Sequence, residues 1–301
     1  MAAGPLFGGI IVSRLNWRWI YWILAIVCAF NTTIGYLFLR ETYAPVLLNK
    51  KAERLEKDTG RKHTFEGKDD RPLGVKLRQS MKRPYVIFLQ PIVLVMSAYQ
   101  ALIFGTTYSI FTNMQRIFSA MPYFFDSEQI GLLYLGAGAG FLLSVWFLVP
   151  KIDTIYNKLT EKNGGKSMPE YRLPLANIGG ILIPVSLFWF AWTVEYRLHW
   201  AVPIAATFVY GFGQVVVFNT VQNYYIDSFS KYAASAIAGG SVFRSLCGGV
   251  VPLFAPTMFE KLGYGWGVSI FGFMAIAIAP APLLFYYYGP KLRERFPINI
   301  S

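Results

Sequence analysis

Long apolar segments constrain this 301-residue chain more than any other feature. Five stretches contain no Asp, Glu, Lys or Arg, and two more contain only His199 or only Arg244. About 20 residues of helix cross a 30 Å hydrocarbon layer, and backbone groups in lipid must bond within their own segment. The sequence therefore predicts an all-α integral membrane protein. Seven complete membrane helices are expected at about residues 19–39, 86–110, 129–150, 173–194, 200–223, 233–257 and 265–288.

A shorter apolar segment precedes these seven. Residues 2–13 would extend only about 18 Å as a helix, which is too short to cross the hydrocarbon layer. No positively charged segment comes before them, so they do not resemble a signal peptide. We expect them to be the end of a membrane helix whose start lies outside the sequence.

The distribution of charge predicts the orientation. The chain has a net charge of +12, although charged residues make up only 15% of it, against about 25% in ordinary globular domains. Of the 28 Lys and Arg residues, 22 fall on one side of the predicted helices, and the positive-inside rule assigns that side to the cytoplasm. The charge therefore needs no nucleic-acid partner. We expect a multi-pass protein, of the plasma membrane, with residues 41–83 and the C-terminus cytoplasmic.

Residues 41–83 form the one long polar stretch, and they divide the chain. Leu48, Ala52 and Leu55 repeat at helical spacing among lysines and arginines, which predicts an amphipathic helix at the membrane interface. Residues 58–83 are typical of a flexible linker. The predicted division is the end of one helix bundle at 1–40, a cytoplasmic segment at 41–83 and a six-helix bundle at 84–301.

Arg244 lies about eleven residues into its predicted helix, near the centre of the bilayer. A charge there costs about 2.5–3.5 kcal/mol on insertion scales and is a functional candidate by default. Ser241 and Gly248 lie near its face, so the side chain has room. Two interpretations remain open: a role in transport or gating, and a structural arginine that binds backbone carbonyls between helices.

Other polar side chains at membrane depth form two stripes along the predicted helices. Amides that face lipid are costly, so these groups should face a cavity or another helix. Contact with a substrate and bonding between helices are both open. The candidates for a substrate cavity are Tyr99, Gln100, Thr107, Gln214, Asn219, Gln222 and Arg244.

The sequence offers little for catalysis. Its two histidines are placed in the linker and at a helix end, and no catalytic pair, metal site or cofactor site is expected. Gly136, Gly138 and Gly140 superficially resemble a dinucleotide-binding fingerprint, but they lack its βαβ context and more plausibly mark helix packing. Cys28 and Cys247 both lie within predicted helices, so no disulfide framework is indicated.

Several motifs together resemble the major facilitator superfamily, and within it the fungal drug:proton antiporters. GPLFGGI followed by NWRWIYWI is similar to the fifth and sixth helices of that family, and RETYAPVLLNKKAERLEKDTG to the segment after the sixth. The resemblance continues to the C-terminus through these motifs: RPLGVKLRQSMKRP, PEYRLP, VQNYYIDSF, AASAIAGGSVFRSLCGGVVPLF and LGYGWGVSIFGF. A sugar porter would typically carry a PESPR-like motif where this chain has ETYAP.

The resemblance implies a bundle of twelve helices in two halves, of which this chain holds the end of the fifth and the sixth to twelfth. It also implies proton-coupled export of small amphipathic molecules or drugs by alternating access, with no cofactor. Gly4, Pro5, Gly8 and Gly9 would form the antiporter motif that packs one face of the pore. The missing N-terminal half, or self-association, would be needed to cover the polar bundle face. A non-transporting or regulatory membrane fragment is the alternative, and an integral membrane enzyme is a weaker one.

Overall fold

The computed structural model describes residues 3–61, 63–64, 71–230 and 232–296, apart from the side chains of residues 73 and 76. All regular elements in these ranges are helical. They are α1 (Ala3–Arg14), α2 (Trp17–Phe38), α3 (Ala44–Thr59), α4 (Leu73–Phe88), α5 (Pro91–Ser119), α6 (Ser127–Phe147), α7 (Val149–Lys162), a 3-10 turn (Pro169–Leu175), α8 (Ala176–Glu195), α9 (Ala201–Ser228), α10 (Ala233–Ile278) and α11 (Ala281–Arg295).

Six helical stretches of the described residues are long and apolar enough to cross a membrane. The last of them, Ala233–Arg295, has 63 residues and is long enough for two passes. Gly263 divides it, with φ 76° and ψ 167° inside α10. Because glycine adopts positive φ without a Cβ clash, it allows the chain to reverse there. The seven predicted membrane helices are thus all present as helical segments.

The boundaries differ from the predicted ones at several places. The segment predicted at 86–110 begins as a helix at Pro91, because proline suits the first turn of a helix, and it continues to Ser119. Residues 73–83, predicted as part of a flexible linker, belong instead to α4. For residues 62 and 65–70 the linker prediction lies outside the described residues.

The chain forms two compact units. The smaller one covers residues 15–81 and contains α2, α3 and the start of α4. Helix α3 carries exposed Leu48 and Leu55 beside its lysines, which are two of the three apolar positions of the predicted amphipathic pattern. The larger unit comprises residues 1–14 and 82–301, and its described part contains the buried core.

Small residues bring the helices of the larger unit close together. A Cβ atom on Gly136 would clash with Ile204 of α9, and one on Gly140 would clash with the carbonyl of Phe208. A Cβ atom on Gly240 of α10 would lie 2.7 Å from the hydroxyl of Ser97 on α5. The glycines of GLLYLGAGAGF therefore mediate helix packing, as the sequence suggested.

Interactions at one end of the larger unit, here called the Glu195 end, join the helix termini. Arg116 at the end of α5 forms an ion pair with Glu260 of α10. Glu195 at the end of α8 accepts a hydrogen bond of 2.9 Å from the backbone N–H of Gly265. In the loop before α6, burial raises the pKa of Tyr123, although the nearby charge of Arg197 lowers it.

The opposite end, here called the Glu170 end, contains a denser set of charges. Arg172 of the 3-10 turn pairs with Asp153 of α7 and donates from Nε to Asp227 Oδ2 at 2.8 Å. Asp227 lies at the end of α9. Arg293 of α11 pairs with Glu170. Since helix starts and ends alternate between the two ends, successive long helices of this unit run in opposite directions.

Candidate functional site

A polar cluster joins α5 to α9 inside the larger unit. Thr107 Oγ1 lies 3.2 Å from the hydroxyl of Tyr210 and 3.3 Å from Oε1 of Gln214. The Tyr210 hydroxyl also donates to the carbonyl of Ile103 at 2.8 Å. Thr107 and Gln214, two of the predicted cavity residues, are therefore brought together, but both are buried and bonded between helices.

Tyr99 and Gln100 are also buried in the interior of α5. Among the described residues, neither the Tyr99 hydroxyl nor the Gln100 Nε2 atom has a hydrogen-bond partner. A Cβ atom on Gly180 would lie 3.7 Å from the Tyr99 hydroxyl, so this side chain points towards α8. Tyr99 is therefore directed to a different helix from the Thr107 cluster.

The remaining amide candidates lie on α9 and are half-buried. Asn219 donates from Nδ2 to the carbonyl of Val215 on its own helix at 2.9 Å. Gln222 follows three residues later and is also half-buried. These two side chains retain more exposure than Gln100 or Gln214, and they lie further along the helix towards its Glu170 end.

Arg244 is held by aromatic rings. Its guanidinium carbon lies 5.2 Å from the ring centroid of Phe104 on α5 and 5.1 Å from that of Phe218 on α9. Its Nη2 atom is 3.4 Å from the hydroxyl of Ser241. The side chain is half-buried, and its Nε atom is buried without a hydrogen-bond partner in the part of the chain that the structure describes.

A groove of about 510 Å³ opens beside α5. Its wall combines aromatic rings with hydroxyl and amide groups, as ligand sites for amphipathic molecules commonly do. The lining residues are Pro5, Thr107, Tyr108, Phe111, Thr112, Gln115 and Tyr134. Of these, the sequence had singled out Thr107 as a cavity candidate and Pro5 as a motif residue.

The sequence missed the stripe of Tyr108, Thr112 and Gln115, which occupies one exposed face of α5 at spacings of four and three residues. That spacing is the available signal, because residues four and three apart share a helix face. The polar neighbours at positions 106 and 107 obscured it.

The predicted antiporter motif lies on α1. A Cβ atom on Gly9 would be 2.5 Å from the carbonyl oxygen of Ser127, and one on Gly131 would be 3.0 Å from that of Pro5. Gly4 and Gly8 have no atom within 4 Å of a Cβ position. The contact between α1 and α6 therefore runs through Pro5 and Gly9, and Gly4 and Gly8 point into open space.

Comparison with known families settles the membership of the chain. Residues 1–252 match the Major Facilitator Superfamily. The chain belongs to this superfamily. This confirms the resemblance to that superfamily, and the helical architecture described above agrees with it. No solved structure matches the chain.

Three curated relatives from fungi are similar to almost the whole of this chain. The MFS-type transporter penM of Penicillium rubens is 38% identical, and the match covers 97% of this chain and 59% of penM. Efflux pump radE of Floropilus chiversii is 38% identical over 99% of this chain and 56% of its own length. Efflux pump vrtL of Penicillium aethiopicum is 36% identical over 95% of this chain and 57% of its own length. The chain thus spans about three-fifths of the length of these relatives.

Within the described residues, no group of three or more His, Cys, Asp or Glu side chains could hold a metal ion. Among the described residues of the candidate site, the fold brings together hydroxyls, amides, aromatic rings and the half-buried guanidinium of Arg244. Such groups can bind an amphipathic molecule and orient it.

Proposed function

We propose that this chain forms the greater part of a secondary transporter that exports small amphipathic molecules by alternating access. The relatives named as efflux pumps support export. The observation that carries the proposal is the groove beside α5, which offers aromatic surface from Phe111 and Tyr134 together with polar groups from Thr112 and Gln115. An amphipathic molecule needs both kinds of contact.

The two charged ends of the larger unit fit a mechanism in which bundles move as rigid bodies. Ion pairs at the Glu195 end and at the Glu170 end fasten helix termini to one another, so the bundle can rock without its helices separating. A second bundle would have to close the other side of the substrate path. In the proposal, this bundle belongs to the rest of the transporter or to another copy of the chain.

The proposal also includes an orientation. The Glu170 end faces the cytoplasm together with residues 41–83 and the C-terminus, because the basic residues are concentrated there. The membrane in the proposal is the plasma membrane, because export across it would remove these molecules from the cell. Proton coupling is part of the proposal because the motifs resemble those of drug:proton antiporters.

A protection experiment tests the groove as the substrate site. A cysteine-free chain would receive Thr112→Cys or Gln115→Cys, and its rate of labelling by N-ethylmaleimide would be measured in lipid nanodiscs with and without Nile red, a neutral amphipathic dye. Both positions line the groove and are exposed, so we expect the dye to slow labelling several-fold.

Ser119→Cys is the matched control. Ser119 lies on the same helix and is exposed, but it is outside the groove lining. Its labelling rate should not change with the dye. Equal protection at all three positions would indicate non-specific partitioning of the dye, and no protection at Thr112 or Gln115 would reject the groove as the site.

A further inference from the structure

The environment of Arg244 provides aromatic rings for its positive charge but few hydrogen-bond acceptors for its N–H groups. Phe104 and Phe218 come within about 5 Å of the guanidinium carbon, which is within range of cation–π attraction. Aromatic faces attract a cation, but they accept few of its N–H hydrogens. A guanidinium has five N–H donors, and the hydroxyl of Ser241, at 3.4 Å, is a long hydrogen-bond partner for one of them.

The counter-charge is also missing from the surroundings that the structure describes. No carboxylate of the described residues lies within 4 Å of the Arg244 guanidinium, whereas Arg14, Arg116, Arg172 and Arg293 each pair with at least one. The carboxylates of these pairs belong to residues near helix ends. Arg244 is thus a cation at membrane depth with aromatic packing and an unmatched set of donors.

These two features are compatible with one kind of ligand. Rings that stack on a guanidinium use its faces, and a carboxylate binds its edge through two parallel N–H···O bonds. A guanidinium that rings hold by its faces can therefore still receive an anion at its edge. A lysine ammonium has no planar edge with this geometry.

The position of Arg244 relates it to the groove. The ring of Phe104 contacts that of Tyr108 at a centroid distance of 4.8 Å, and Tyr108 lines the groove beside α5. Phe104 therefore lies between Arg244 and Tyr108, which is part of the groove wall. A molecule with an aromatic body in the groove and an acidic group on an arm that extends past Phe104 could reach both.

We propose that Arg244 is the counter-charge for a carboxylate on the transported molecule, so that the transporter favours amphipathic organic acids over their neutral derivatives. The inference rests on the proposed function and deepens it, because it names the substrate class. It assigns Arg244 to ligand recognition, where the sequence had left a structural role equally open.

Dansylglycine, its methyl ester and dansylcadaverine provide the test. They share one fluorescent apolar group and carry a negative charge, no charge and a positive charge. Binding of each to the purified 301-residue chain would be measured by dansyl fluorescence in nanodiscs of neutral phosphatidylcholine, which removes competition from anionic lipid. We expect the acid to bind about tenfold or more tightly than the ester, and the cation to bind most weakly.

Two substitutions isolate the charge. Arg244→Gln should reduce the affinity for dansylglycine about tenfold and leave that for the ester within about twofold, so that the preference disappears. Arg244→Lys should retain more of the preference than Arg244→Gln. Arg116→Gln, which removes an exposed arginine from the end of α5, is the matched control and should keep the preference unchanged.

The outcomes separate the inference from the proposed function. If no probe binds the unmodified chain, the binding groove itself is contradicted, and the inference falls with it. If all three bind with equal affinity, or if Arg244→Gln keeps the acid preference, only the counter-charge role is wrong. The comparison of the three probes on the unmodified chain needs no variant, so a folding defect in Arg244→Gln does not prevent a decision.

Discussion

Arg293 of α11 places its Nη2 atom 2.8 Å from Oε1 and 3.0 Å from Oε2 of Glu170, a residue 123 positions earlier in the chain. The Glu170 side chain is 2% exposed and that of Arg293 is 33% exposed. Gly289 lies directly beside the carboxylate, since a Cβ atom there would be 2.8 Å from Oε1. The pair therefore joins the last described helix to the turn that begins α8.

Glu170→Gln should destabilise the protein by about 2 kcal/mol. Removing one partner of a buried ion pair typically costs about 3–5 kcal/mol, and the partial exposure of Arg293 reduces that cost. Thermal unfolding of the purified protein in detergent measures the effect. Arg116→Gln breaks the pair with Glu260, in which both side chains are more than half exposed, and should cost less than about 1 kcal/mol. An equal loss of unfolding free energy in Glu170→Gln and Arg116→Gln would show that burial does not make the Glu170 pair stronger than the exposed pair.

Gly9→Ala should weaken the packing of α1 on α6, because the new methyl group would press on the backbone carbonyl of Ser127. Overpacking of this kind costs about 1–3 kcal/mol. Gly8→Ala is a control in the same motif, since nothing lies within 4 Å of its Cβ position. Thermal unfolding of the purified protein would report the change. If Gly8→Ala and Gly9→Ala behave alike, α1 does not pack on α6 in this way.

The proposed orientation predicts which positions an impermeant reagent can reach. In a cysteine-free chain expressed in intact cells, Phe124→Cys at the Glu195 end should be labelled from outside by a sulfonated maleimide. Lys162→Cys, at the end of α7, should be labelled only after the membrane is permeabilised. Both side chains are exposed, so a difference reports sidedness and not burial. Labelling of Lys162→Cys in intact cells would show that the orientation is the opposite of the proposed one.

The membrane helices could be predicted because charge is excluded from lipid whatever the packing. The segments without Asp, Glu, Lys or Arg therefore correspond to helices in the structure. The division at Gly263 falls within the predicted gap between residues 257 and 265, because Glu260 and Lys261 interrupt the apolar sequence there. The helix at Leu73–Phe88 was missed because its polar first half is typical of a linker.

Polar residues at membrane depth could be found from the sequence, but their partners could not. Thr107 and Gln214 are 107 residues apart, and their contact depends on how α5 and α9 are rotated against each other. The groove was missed for the same reason, since Tyr108 and Gln115 become a binding surface only beside Pro5 and Tyr134. Arg244 was identified from its depth alone, whereas its ring partners come from two other helices.

A measurement of export most directly tests the proposal that this chain contributes the substrate path of an efflux transporter. The chain would be fused to the part of penM that its match does not cover and expressed in a yeast strain lacking drug pumps, with the same fusion carrying Thr112→Trp to fill the groove. We expect efflux of Nile red, a neutral amphipathic dye, that an uncoupler abolishes and that Thr112→Trp reduces at least fivefold, with no loss of membrane expression. Correctly localised fusion protein without efflux, or efflux unchanged by Thr112→Trp, would contradict it.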